Sequence, residues 1–262
     1  MKQPKFVSGP PGTGKTHIYL IDKYKELLKK YSPEKIIMLS HTNVAADELK
    51  DAILKLPEMI ERGLRKKFFK YKICTIHAFC KSKLLKKELI TYADYLNLCA
   101  ENSGFKAQRV TQSEFDNDKH KFFKFLGDAF GQGRTIKEHW NSLRETSSNY
   151  YPYNNFRMIY EMKEVYDNYK KVNQVCDYND MIKDFIDHAV VPDIDVLIVD
   201  EAQDSNVPQI KALEKMSTNV KEYYMVGDAD QTIFEFAGAN ADYFHKLSKD
   251  AEQLEDGLRC GE

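Results

Sequence analysis

The chain has 262 residues, 42% of them hydrophobic and 30% charged, a balance too apolar for a disordered chain and ordinary for a globular one with one large core or two modest ones. Its 39 Lys and Arg nearly cancel its 40 Asp and Glu, so net charge by itself neither points to nor excludes nucleic acid. Five cysteines (Cys74, Cys80, Cys99, Cys176, Cys260) without a CxxC pair argue against a disulfide frame or a Cys/His metal site; with no apolar run of membrane-spanning length and no signal peptide expected, they predict a cytoplasmic protein without a membrane partner.

In chain order, Phe6 to Ser8 reads as a short strand, and Gly9 to Thr16 (G-P-P-G-T-G-K-T) as a phosphate-binding loop running into a helix. Gly9, Gly12 and Gly14 let the backbone turn and approach phosphate oxygens without a Cβ in the way, with Pro10, Pro11 and Thr13 completing the loop. In such a loop Lys15 reaches the β- and γ-phosphates of ATP and the Thr16 hydroxyl sits on Mg²⁺. Lys35 to Ser40 is a second strand, after which Asn43 is expected to cap a helix carrying Ala45, Ala46, Leu49, Ala52, Ile53 and Leu56. From Arg62 to Lys87 ten basic residues occur with no Asp or Glu, interleaved with Phe68, Phe69 and Tyr71. That composition fits a groove for single-stranded nucleic acid and fits a solvated lysine face equally well.

Lys72 to Ile76 is a further strand candidate. Strand signal then stops from about Leu85 to Val175, where amphipathic helices are expected, separated by Gly104, Gly131-Gln132-Gly133 and Tyr151-Pro152. It resumes at Ile194 to Val199, which ends in V-D-E-A-Q-D, and at Glu222 to Val226. Asp200 would hold Mg²⁺ through water, and Glu201 would orient and deprotonate the attacking water. After the last strand, Gln231 is a neutral amide within reach of a γ-phosphate, and Phe234 and Phe236 are either core or base-stacking rings. Apolar runs separated by helical patterns predict an α/β fold, a parallel sheet covered by helices with an inserted all-α subdomain. The expected boundaries are 1–84 and 177–262 for the ATPase lobe and 85–176 for the insertion.

In order, G-P-P-G-T-G-K-T, H-T-N-V-A-A-D-E-L, T-I-H-A-F-C, D-Y-N-D-M, V-D-E-A-Q-D-S-N-V-P-Q and G-D-A-D-Q-T-I-F-E-F-A-G-A resemble the motifs of the UvrD/Rep-like superfamily 1 DNA helicases. The resemblance implies a RecA-like P-loop lobe and ATP-driven movement on single-stranded DNA, 3′ to 5′. It makes Lys15, Thr16, Asp200, Glu201 and Gln231 the ATP and Mg²⁺ set, and implies that Arg259 reaches the γ-phosphate. Thr42, Asn43, Thr75 and His77 fall in segments that line the DNA path or link it to ATP. Phe236 takes the place of a base-stacking aromatic, Phe234 the aromatic just before it, and His41 that of another aromatic.

Two departures stand out: Leu258 occupies the place of an adenine-stacking tyrosine, and nothing before Met1 supplies the adenine-reading glutamine. The sequence stops after the Arg259 motif, so a second RecA-like lobe, on the same full-length chain or on a separate polypeptide, is the expected partner. Little or no unwinding is expected without it. The competing readings are a DNA-binding or regulatory module that binds nucleotide with little turnover, and a P-loop ATPase that does not act on DNA.

Overall fold

The computed structural model describes residues 2–9, 18–84, 87–117, 120–146, 155–228, 241–249 and 251–254. Pro10 to Thr16, Gln231, Phe234, Phe236, Leu258 and Arg259 therefore lie outside the described residues, as does the Tyr151-Pro152 separator. Among those described, the strands are β1 (Lys5–Ser8), β2 (Ile36–Ser40), β3 (Ile73–Thr75), β4 (Glu88–Leu89), β5 (Val175–Cys176), β6 (Val196–Val199), β7 (Glu222–Gly227) and β8 (Glu252–Gln253). They fall into two compact units, Met1–Leu84 with Asp184–Glu262, and Leu85–Lys183.

The first unit is built on a sheet of order β3-β2-β6-β7-β1-β8 in which every pairing is parallel. All of β2 and β6 is buried, so those strands read as unbroken apolar runs, the pattern of a sheet covered on both faces. Alternate residues divide between the faces. Val7, Met38, Ile198, Tyr224 and Val226 share one cluster with Leu20, Tyr24 and Leu27 of α1 (Leu20–Leu28) and with Leu49 and Ile53 of α2 (Asn43–Leu54). Helical spacing of three and four residues turns these side chains onto one stripe. A short helix α3 (Pro57–Glu61) and α4 (Ile76–Ser82) follow in the same unit.

The helix after β2 is capped differently from expectation. Thr42 is the N-cap, its Oγ1 accepting the Ala45 N–H at 3.1 Å, and Asn43 is the first helical residue. Thr42 is extended at φ −119°, the conformation a cap needs, so the preceding strand places the hydroxyl one residue earlier than composition suggested. The cationic stretch is also redistributed. Phe69 is fully buried and Phe68 packs against the core, leaving Tyr71 as the exposed ring of the three. Basic residues 62–72 lie ahead of β3, at the amino edge of the sheet, where Lys66 pairs with Asp51 at 3.0 Å and Lys72 lies over the Phe68 ring at 4.3 Å.

In the second unit, α5 (Tyr92–Glu101), α6 (Ser103–Lys106), α7 (Gln112–Asp116), α8 (Lys121–Gly131), α9 (Ile136–Thr146) and α10 (Phe156–Asn173) follow in chain order. They enclose a separate core of Tyr95, Leu98, Phe105, Phe122, Phe125, Ile159, Met162 and Tyr166. Gly104 does not separate helices: it lies inside α6, where Asn102 Oδ1 accepts its N–H at 2.9 Å, and a Cβ there would stand 3.0 Å from Met162. A two-residue parallel ladder, Glu88↔Val175 and Leu89↔Cys176, joins the start of this unit to its end. Strands that short leave no periodic trace in sequence. Next comes α11 (Tyr178–His188), while α12 (Val207–Met216) and α13 (Ala241–Ser248) belong to the first unit. Cys74, Cys80, Cys99 and Cys176 are buried, and none of them forms a disulfide among the described residues. No helix among the described residues is long and apolar enough to cross a membrane.

Candidate functional site at the carboxyl edge of the sheet

Because the strands are parallel, their carboxyl ends share one edge, where ligands of open α/β sheets bind. Ser8 ends β1 and Gly9 follows it, His41 and Thr42 follow β2, Thr75 ends β3, Asp200 and Glu201 follow β6, and Asp228 follows β7. Gly9, the first residue of the glycine-rich segment, donates its N–H to the Gly227 carbonyl at 3.3 Å, which fixes that segment's departure from β1 beside the end of β7.

Asp200 is 1% exposed and donates its backbone N–H to Leu39 O at 2.8 Å, continuing the β6 ladder to β2. Glu201 has φ +49° and ψ 44°, a left-handed conformation in which a non-glycine side chain is strained. The turn Ala202–Asp204 that follows is closed by Asp204 N–H to Glu201 O and Ser205 N–H to Ala202 O, both 3.0 Å.

Gln203, 4% exposed, clamps this turn. Its Nε2 donates to Glu201 Oε2 at 2.9 Å, and its Oε1 accepts the Asp228 N–H at 3.1 Å. One amide therefore fixes the Glu201 carboxylate against the end of β7. Gly227 makes the approach possible, since a Cβ there would lie 2.1 Å from Gln203 Oε1. Burial, and then the negative charge of Glu201, raises the Asp204 carboxyl to about 6.

On the β2 and β3 side, Thr42 and Asn43 are exposed and Thr75 is buried, capping α4 by accepting the Ala78 N–H at 3.2 Å. The half-buried His77 follows in the first turn of α4, its imidazole lowered by burial. His41 Nε2 lies 3.0 Å from Ser205 Oγ. Burial, with a smaller contribution from His77, pushes its imidazole down to about 4, so it is neutral at physiological pH. The exposed Val44 adds an apolar surface on the first turn of α2.

The edge thus gathers Gly9, His41, Thr42, Asn43, Thr75, His77, Asp200 and Glu201 in one unit. Sequence reasoning gave no role to Gln203, Ser205 or Gly227. A glutamine between two carboxylates, a serine and a strand-end glycine carry no distinguishing pattern until the strands are side by side.

An open parallel sheet with helices on both faces and polar groups gathered at its carboxyl edge has the architecture of the α/β RecA-like P-loop folds. Within that class, the family model described as UvrD/REP helicase N-terminal domain matches residues 1–252, and the chain belongs to that family. ATP-dependent DNA helicase Rep of Buchnera aphidicola subsp. Baizongia pistaciae is 26% identical over 97% of the chain and 38% of its own length. A probable DNA helicase II homolog of Mycoplasma pneumoniae is 26% identical over 91% of the chain and 34% of its own length. ATP-dependent DNA helicase PcrA of Staphylococcus aureus strain Mu50 is 22% identical over 94% of the chain and 34% of its own length. The chain spans little more than a third of the length of these curated relatives.

Proposed function

We propose that this chain is the ATP-binding motor lobe of an ATP-dependent DNA helicase or translocase that grips single-stranded DNA, moves 3′ to 5′ and works against a second RecA-like lobe. The observation that carries this reading is the Gln203 clamp, which holds a strained Glu201 beside the buried Asp200 at the strand ends. The names of the relatives, ATP-dependent DNA helicases, support the choice of ATP and DNA as ligands.

In this reading Lys15 binds the β- and γ-phosphates and the glycine-rich segment cradles them with backbone N–H groups. The donor set fits Mg²⁺: Asp200 offers a buried hard-oxygen ligand, Thr16 a hydroxyl, and Mg²⁺ bound with phosphates takes one or two carboxylates rather than a full protein cage. When bound, Mg²⁺ would neutralise charge building on the phosphate oxygens. The Glu201 carboxylate takes the proton of the attacking water at Oε1 or Oε2, and Gln203 Nε2 fixes its orientation. Gln231 and Arg259 contact the γ-phosphate, Arg259 stabilising transition-state charge. Thr42, Asn43, Thr75 and His77 line or adjoin the DNA path, with Phe234 and Phe236 as the ring pair. A stacked base contributes about 1 to 3 kcal/mol.

Two measurements test the proposal. Binding of an ATP analogue with Mg²⁺ should be abolished by Lys15→Ala and retained by Glu201→Gln, while Glu201→Gln joined to a second lobe should lose hydrolysis by about 10²- to 10⁴-fold. Affinity for oligo-dT should fall linearly on a log–log plot against salt, by roughly 0.7 decades per decade for each phosphate contact. Nucleotide binding with no salt-dependent DNA binding would replace the helicase reading with that of an ATPase acting elsewhere.

A further inference from the structure

The strand ends hold a contact that joins the two halves of the proposed site. β2 and β6 are neighbours in register, Leu39 opposite Val199, so the segments leaving them run side by side. From one comes His41, immediately before the Thr42 cap of α2; from the other comes the strained Glu201 and its turn. Ser205 closes that turn through its N–H, and its fully buried hydroxyl meets His41 Nε2 at 3.0 Å. On its far side Ser205 adjoins a rigid element: Asn206 and Gln209 form a reciprocal capping box on α12, with bonds of 2.9 and 3.0 Å.

We infer that His41 is a positioning residue which, through its hydrogen bond to the Ser205 hydroxyl, couples single-stranded DNA held at the Thr42 end of β2 to the turn that aims Glu201 at nucleotide. A ligand that shifts residues 41–43 must either drag Ser205 or break a buried hydrogen bond. α12 resists movement on one side of Ser205, so displacement passes into the turn, where the left-handed Glu201 stores strain that a small shift can release. Burial holds the imidazole neutral, so the link is a bond between two neutral groups and needs no proton uptake. The inference rests on the reading of this edge as a site that takes nucleotide and single-stranded DNA together.

Coupling is reciprocal and is read as a ratio of dissociation constants, so the test needs no turnover. The Kd of fluorescent oligo-dT for the full chain is measured with and without a saturating non-hydrolysable ATP analogue and Mg²⁺. The wild-type ratio is expected to differ from one by about five- to a hundredfold. Ser205→Ala should bring it within about twofold of one while each ligand alone binds within about threefold of wild type, and Ser205→Thr, which keeps the hydroxyl, should preserve it. His41→Phe should lose the coupling, and His41→Gln, whose amide reaches near the Nε2 position, should restore part of it. That second pair serves if Ser205→Ala does not fold. An unchanged ratio in Ser205→Ala, or a wild-type ratio of one with both ligands bound, overturns the inference alone. Failure of wild type to bind either ligand overturns the proposed function, and this inference with it.

Discussion

Glu201 and Gly227 show how single residues hold this edge together. Glu201 is half-buried in the left-handed region, a conformation costing an L-residue about 1 to 2 kcal/mol. Glu201→Gly relieves that strain but takes the acceptor from Gln203 Nε2, so the two effects offset and stability in urea unfolding should change by less than about 1 kcal/mol, while in the proposed motor joined to a second lobe hydrolysis should be lost. Gly227 meets the opposite constraint. Alanine there would drive a methyl to 2.1 Å from Gln203 Oε1, displace the clamp and strand its buried amide. Gly227→Ala should cost about 1 to 3 kcal/mol and lower hydrolysis along with stability. Gln203→Ala should reproduce the loss of hydrolysis, since it frees Glu201 without creating the clash.

Helix ends and one buried ion network decide how the elements are fixed. Thr91 and Asp94 form a reciprocal capping box on α5, and Asp94 Oδ1 also accepts from Tyr169 OH on α10 at 2.8 Å, so a cap doubles as a link between helices. Thr91→Ala should cost about 1 kcal/mol. Between α10 and α11, Lys170 lies 2.8 Å from both Asp177 and Asp180, and Tyr166 donates to Asp177 at 3.0 Å. With Lys170 mostly buried, removing it strands two carboxylates. Lys170→Ala should cost about 3 to 5 kcal/mol. Trp140, the only tryptophan, packs within this unit, so its fluorescence during urea unfolding reports the loss directly.

At the scale of the whole molecule, the second unit carries a built-in acid sensitivity. His120 is 1% exposed amid Tyr95, Phe105, Phe122 and Phe123, neither ring nitrogen has a hydrogen-bond partner among the described residues, and burial pushes its imidazole down to about 4. The unfolded chain binds a proton there near pH 6.5 and the folded one only near 4. Stability from the neutral ring is therefore complete above pH 6.5 and declines by roughly 3 kcal/mol as pH falls to 4. The Trp140 unfolding midpoint should drop across that window, and His120→Phe should flatten the decline; an equally steep profile in the variant would assign the sensitivity to other groups.

The α/β architecture and the places of β1, β2, β6 and β7 were legible in the residue pattern, because strands covered on both faces must be apolar at successive positions. The sequence also carried the ordered motifs of the family that the chain belongs to, since phosphate and metal chemistry restricts which residue types can serve. What lies between those motifs was set by packing of distant segments. That packing assigned the α2 cap to Thr42, buried Phe69 beneath a stretch that composition allowed as a nucleic-acid groove, and brought residues 88–89 and 175–176 together in a ladder too short to leave a period. It likewise placed Gln203 between Glu201 and Asp228, and His41 against Ser205, 164 residues away in the chain. Local propensity acts within a turn or a strand, whereas these contacts exist only because parallel pairing sets distant strand ends side by side.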